Sequence, residues 1–220
     1  MSKINRVVPA ILTNDPKALA TMVRQAEAFT DYVQFDFMDG QFVPSRSVTW
    51  EQVAALTIQL NWEAHIMVLR PQDYLASLGH AGAQKVIFHY EAAPSPPAVI
   101  AMARKLGLKV GLAVNPETTV ATIRPLVATV DSVLFLSVHP GFYGAKFIPE
   151  VLDKVKELRR LYPELEIGID GGIKEDNIAQ IAQTGVDVIY VGSAIFLQPE
   201  PATSYRRLLA MAEAGAKLGR

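Results

Sequence analysis

Glu166-Ile167-Gly168-Ile169-Asp170-Gly171-Gly172-Ile173 and, beyond a helical segment, Val188-Ile189-Tyr190-Val191-Gly192-Ser193-Ala194 decide the fold. Each begins as a short apolar run and ends in glycine. Neither shows the polar alternation of a half-exposed strand, so both read as strands buried on two faces, the habit of parallel sheets. The segment between them stops at Thr184-Gly185, a glycine of the kind that closes helices. Together they form a strand–helix–strand unit.

Working outward, the unit recurs. Strands are expected at Val7–Leu12, Tyr32–Asp36, Glu63–Met67, Lys85–His89, Lys109–Val114 and Ser132–Ser137, besides Glu166–Asp170 and Val188–Val191. Helical stretches lie between them. Pro16–Thr30 gathers Leu19, Met22, Val23 and Ala26 on one side, behind the Asn14-Asp15-Pro16 start signal. Lys146–Leu161 does the same with Ile148, Val151, Leu152, Val155 and Leu158, and Leu106-Gly107 is a second helix stop. Ala93-Pro94-Ser95-Pro96-Pro97 reads as a loop and helix entrance, Trp50 and Trp62 as packing residues, and Ala202 to Leu218 as a last helix on the outer ring. Strand–helix units repeated in this way, with no spare linker, predict an α/β protein with a parallel sheet. Eight units in 220 residues favour closure into one (β/α)8 TIM barrel, a single domain over 1–220, above the alternative of an open doubly wound sheet.

A formal net charge of −1 gives no broad positive field, so neither nucleic acid nor an anionic membrane is an expected partner. An anionic substrate would have to be held locally. The absence of cysteine excludes disulfides, thiolate metal sites and thiol nucleophiles. No signal-like apolar run follows Met1–Arg6, and no stretch is long and apolar enough to span a membrane. A cytoplasmic location is expected.

Barrel chemistry lies at the C-terminal ends of the strands, and here those ends are polar. Strand two ends in Gln34-Phe35-Asp36, strand three carries His65 and strand four ends in His89. Strand five runs into Asn115, strand six into Ser137 and His139, and strand seven into Asp170. A carboxylate at the end of a buried strand is costly unless it is paired or bound to metal. Any one of these residues could simply cap a loop; the convergence of Asp36, His65 and Asp170 on one mouth is better explained by a functional site. Glycines mark the loops after strands six, seven and eight: Pro140-Gly141-Phe142-Tyr143-Gly144, Gly171-Gly172 and Gly192-Ser193. They serve tight turns, and they also let backbone N–H groups approach a phosphate. Phosphate sites of such barrels commonly use the last two loops.

These stretches carry a resemblance. Pro9-Ala10-Ile11-Leu12, Asp36-Phe37-Met38-Asp39-Gly40-Gln41-Phe42-Val43-Pro44, His65-Ile66-Met67-Val68, Ser137-Val138-His139-Pro140-Gly141-Phe142, Asp170-Gly171-Gly172-Ile173 and Gly192-Ser193-Ala194-Ile195-Phe196 resemble, in order and spacing, the ribulose-phosphate 3-epimerase family from end to end. The resemblance implies interconversion of D-ribulose 5-phosphate and D-xylulose 5-phosphate by proton transfer at C3, with Asp36 and Asp170 as acid and base. It also implies a divalent metal ion (Zn2+, Mn2+, Fe2+ or Mg2+) that stabilises the enediolate, held by Asp36, His65 and Asp170. The substrate side would be formed by Met38, Met67, Gly141, Phe142, Gly144, Gly171, Gly172, Gly192 and Ser193. Phe142-Tyr143 would belong to a lid, and association into a homo-oligomer would fit the family.

Three positions depart from the family pattern. Gln34 stands where the family has its fourth metal ligand, a histidine; its neutral amide is a poorer ligand. Ala10 replaces a serine, and Tyr143 a glycine. Two further readings therefore stand beside the pentulose epimerase: a hexulose-6-phosphate 3-epimerase, and a non-catalytic sugar-phosphate binder that has lost the usual metal site. Decarboxylases and aldolases on related barrels use an Asp-x-Lys-x-x-Asp stretch, and Asp36-Phe37-Met38-Asp39 lacks the lysine.

Overall fold

The computed structural model describes residues 6–141 and 145–218. Its strands are β1 (Arg6–Ile11), β2 (Tyr32–Met38), β3 (Asn61–Met67), β4 (Lys85–His89), β5 (Lys109–Val114), β6 (Ser132–Leu136), β7 (Glu166–Asp170) and β8 (Val188–Val191). Each pairs in parallel with the next, and β8 pairs with β1, which closes the barrel. The helices α1 (Pro16–Glu27), α2 (Trp50–Ala54), α3 (Leu75–His80), α4 (Pro96–Lys105), α5 (Val120–Ile123), α6 (Val151–Leu161), α7 (Ile178–Ala182), α8 (Ser193–Phe196) and α9 (Pro201–Leu218) alternate with the strands, α8 and α9 both following β8. The open-sheet alternative is thereby excluded.

Because side chains alternate across a strand, one half of each strand faces the helices and the other the barrel interior. Val33, Phe35, Ala64, Ile66, Val86, Phe88, Ile167 and Ile169 face outward and build the large core under the helices. Trp62 meets Phe35 edge-on at 5.3 Å in this layer, and Trp50 packs against it. The inward set forms a smaller core of Val8, Ala10, Ile87, Ala113, Leu134, Leu136, Val188 and Tyr190. This plug separates two polar layers. At the N-terminal ends of the strands, Lys85 bridges Glu63 at 2.7 Å and Glu166 at 2.9 Å, Arg6 joins Glu166 at 2.8 Å, and the Tyr32 hydroxyl donates to Glu63 at 2.9 Å. The second polar layer lies at the C-terminal ends.

Two helix boundaries differ from expectation. α6 starts at Val151 rather than Lys146, because the backbone N–H of Ile148 donates to Ser137 O at 2.8 Å and ties that segment to β6. α1 ends at Glu27, where the N–H groups of Phe29 and Thr30 both turn back on Ala26 O. β2 continues past Asp36 to Met38, in register with Met67 of β3. Among the described residues no helix is long and apolar enough to cross a membrane.

Candidate active site

Gln34, Asp36 and Met38 occupy alternate positions on β2 and so share its inward face. The β2–β3 ladder sets Asp36 beside His65 and Met38 beside Met67. Asp170 arrives from the other side of β1 and β8, as the last residue of β7. The strands thus deliver Asp36, His65 and Asp170 to one place, with ligand atoms that all lie within 4.8 Å of one another. Asp36, His65 and Asp170 are the residues that would hold a divalent ion at this place. Two carboxylate oxygens and an imidazole nitrogen are a chemically apt donor set for such an ion.

The group is tightly bonded. His65 Nδ1 lies 2.9 Å from Asp36 Oδ1 and 3.6 Å from Asp170 Oδ2. Burial opposes protonation of His65, but the bond to Asp36 and the charges of Asp36 and Asp170 outweigh it and raise its pKa. Burial and the charge of Asp36 push the Asp170 carboxyl up to about 7, against the pull of His65. Asp170 thus takes up a proton near neutrality, far more readily than an ordinary aspartate. Gln34 is 0 % exposed, and its Nε2 donates to Asp36 Oδ1 at 3.0 Å and to Asp170 Oδ2 at 3.3 Å.

Behind His65 lies His89, Nε2 to Nε2, at 3.0 Å. Burial drives the His89 pKa down to about 4, so it is neutral at pH 7. Its Nδ1 faces Glu91 Oε2 at 3.5 Å. Glu91 Oε1 accepts from the Asn115 N–H at 2.9 Å and from the Thr118 hydroxyl, which locks the end of β4 to the loop after β5. Asn115 and His89 therefore support neighbours of the cavity. His139 is turned to solvent, paired with Glu117 at 3.0 Å.

One cavity is lined by Asp36, His65, Asp170, Met38 and Met67 together with Gly141, Gly171, Gly172, Gly192 and Ser193. Gly171 and Gly172 have φ of +108° and +65°, and a Cβ on Gly171 would sit 2.5 Å from Val138 Cγ2. Glycine is required there by both backbone and space. Phe142, Tyr143 and Gly144, with the expected lid, lie outside the described residues.

Several contributors were given no role by the sequence. Asp39 Oδ1 accepts from the N–H groups of Gln41 and Phe42 at 2.8 and 3.0 Å, and its Oδ2 from Leu69 N–H at 2.8 Å, so it shapes the loop after β2. Ser47 donates to Asp36 O at 2.8 Å. Ser137 Oγ lies 2.9 Å from Asp170 O and 2.7 Å from Gly171 O. Leu12, Leu136 and Tyr190 also line the cavity. The glutamate two places after His89 and the serine before Val138-His139 were the available hints.

A closed (β/α)8 barrel with an Asp-His-Asp group and glycine loops around one mouth defines a barrel enzyme for a small anionic substrate. The model of the ribulose-phosphate 3 epimerase family matches residues 6–196, and the chain belongs to that family. It is 35% identical over 202 residues to the ribulose-phosphate 3-epimerase of Schizosaccharomyces pombe, covering 89% of each chain. It is 38% identical over 217 residues to ribulose-phosphate 3-epimerase 1 of Cupriavidus necator, covering 93% of this chain and 89% of that one. The fold alone is shared with 3-hexulose-6-phosphate synthase from Salmonella typhimurium, at a TM-score of 0.71 and 16% identity over 94% of this chain and 98% of the other.

Proposed function

We propose that the protein is a sugar-phosphate 3-epimerase whose substrate pair is D-ribulose 5-phosphate and D-xylulose 5-phosphate. The observation that carries this reading is the pair of carboxyl groups, Asp36 and Asp170, delivered by separate strands to one cavity that the glycine loops also line. Epimerisation at C3 takes a proton from the carbon next to the C2 carbonyl and returns one from the other face. One aspartate, ionised, takes the proton; the other, protonated, supplies one; the reverse reaction exchanges the roles. Burial and the charge of Asp36, which let Asp170 carry a proton near neutrality, suit that division.

Backbone N–H groups at Gly141, Gly171, Gly172, Gly192 and Ser193 receive the phosphate in this reading. Met38 and Met67 flank the carboxyl groups and keep water from the reacting carbon. A divalent cation held by Asp36, His65 and Asp170 would draw negative charge from the reacting oxygens; that donor set accepts Zn2+, Mn2+, Fe2+ or Mg2+. No lysine lines the described cavity, which speaks against the lysine-dependent aldolase and decarboxylase chemistry of related barrels. A cysteine-free chain suits the cytoplasm.

The test is to incubate the protein, supplied with each cation in turn, with D-ribulose 5-phosphate and follow D-xylulose 5-phosphate by NMR. Steady formation of the epimer is expected. Preferred turnover of a hexulose 6-phosphate would reassign the substrate, and tight binding of both sugars without turnover would replace the enzyme with a binder.

A further inference from the structure

Gln34 is the feature of the mouth that the family pattern does not explain. Its Nε2 donates to Asp36 Oδ1 at 3.0 Å and to Asp170 Oδ2 at 3.3 Å. Those are the same two oxygens that His65 Nδ1 faces at 2.9 and 3.6 Å. The other end of the amide, Oε1, is buried with no hydrogen-bond partner among the described residues. Ionised carboxylate oxygens accept and do not donate, so between two ionised groups the NH2 end is the one that belongs.

We propose that Gln34 is a clamp: its NH2 group bridges the two acid–base carboxylates where a cation would otherwise join them. The pair then stays aligned without a bound ion, and the ion is held weakly. The catalytic half of this inference rests on the epimerase reading; the binding half does not.

The physical case is a competition. An ion that takes Asp36 Oδ1 and Asp170 Oδ2 must first displace both N–H bonds. Turning the amide over would offer Oε1 to the ion, but it would leave the NH2 group in the place where Oε1 now finds no partner. Stranding a buried donor weakens binding by roughly tenfold, which is about 1.4 kcal/mol. A histidine at this place would offer a lone pair without that difficulty. The neighbouring strand reinforces the point. Ala10 is the register partner of Gln34 across β1 and β2 and lines the cavity into which Asp36 and Asp170 open. It has no hydroxyl with which to receive a turned amide. Gln34 and Ala10 thus act together: one fills the space between the carboxylates with N–H donors, and the other withholds the group that would let the amide turn.

The experiment uses the full-length protein stripped by dialysis against a chelator, in three forms: wild type, Gln34→His and Gln34→Leu. Co2+ is titrated into each and followed by its visible absorption, and loss of the C3 proton of D-ribulose 5-phosphate in D2O is followed by NMR before and after loading. Wild type is expected to bind Co2+ at least about tenfold more weakly than Gln34→His. Stripped wild type is expected to keep C3 exchange, and stripped Gln34→Leu, with only His65 left facing both carboxyl groups, to lose it at least about tenfold. Wild type that binds Co2+ as tightly as Gln34→His, or that exchanges only when loaded, overturns the clamp and leaves the epimerase reading intact. No exchange in either state of wild type overturns the epimerase reading, while the Co2+ affinities still decide the binding half of the clamp.

Discussion

His89 has no room for charge. It is fully buried against His65, and burial lowers its pKa from 6.5 to about 4. In the unfolded chain it would take up a proton at about pH 6.5, before the folded protein does. The unfolded state therefore binds more protons between those values, and stability rises with pH through that window. The contribution is complete above pH 6.5 and amounts to about 3 kcal/mol lost on descent to pH 4. Urea denaturation of wild type and His89→Gln at pH 7.5 and 4 should show a drop about that much larger in wild type; parallel losses would contradict it. At this scale the sequence was informative about Gln34, Asp36, His65 and Asp170, because period-two alternation on a strand puts residues on one face. It was silent about Glu91 and Ser47, and it marked Ser137 as a strand end without its partners; all three act by bonding the backbone or side chains of other elements. Their partners are set by closure of the barrel, not by local spacing.

The connection from β6 to α6 and the turn after β7 form one mechanical unit. Ser137 holds the backbone oxygens of Asp170 and Gly171 and also accepts the Ile148 N–H at its own carbonyl. Gly171 fits only because it has no Cβ. Gly171→Ala is expected to destabilise the protein by about 1–3 kcal/mol through strain at positive φ. In a folded variant it should raise KM for the sugar phosphate more than it lowers kcat. Urea denaturation with steady-state kinetics checks both, and an unchanged KM would remove this turn from the phosphate site. The strands were legible because short apolar runs bounded by glycine have few other uses. The start of α6 was not: its apolar period runs unbroken from Ile148, while the tie to Ser137 O holds that residue out of the helix.

Across the whole molecule, an apolar plug separates a reactive polar layer from a structural one. Lys85 is nearly sealed, yet the charges of Glu63 and Glu166 overcome the effect of burial and hold its pKa above the usual value. Removing the cation leaves Glu63 buried without a counter-charge, with the Tyr32 hydroxyl still donating to it. Lys85→Met is expected to lose about 3–5 kcal/mol of stability, while folded protein keeps its C3 exchange rate. Denaturation curves and activity per folded molecule test this, and a loss of turnover without a loss of stability would contradict it. Closure of the barrel was legible from the count of strand–helix units. The Glu63–Lys85–Glu166 cluster was not, because Glu63 and Lys85 meet through the β3–β4 register and Glu166 reaches Lys85 only when the ring has closed.

The most direct measurement compares wild type, Asp36→Asn and Asp170→Asn in D2O, with D-ribulose 5-phosphate and D-xylulose 5-phosphate supplied separately and the C3 proton followed by NMR. If the two aspartates trade that proton between faces, wild type interconverts the sugars with deuterium at C3. Each variant then loses interconversion by about 100-fold or more and retains exchange with at most one epimer, a different one in each case. Interconversion at the wild-type rate by either variant, with the fold intact, would contradict the two-aspartate mechanism.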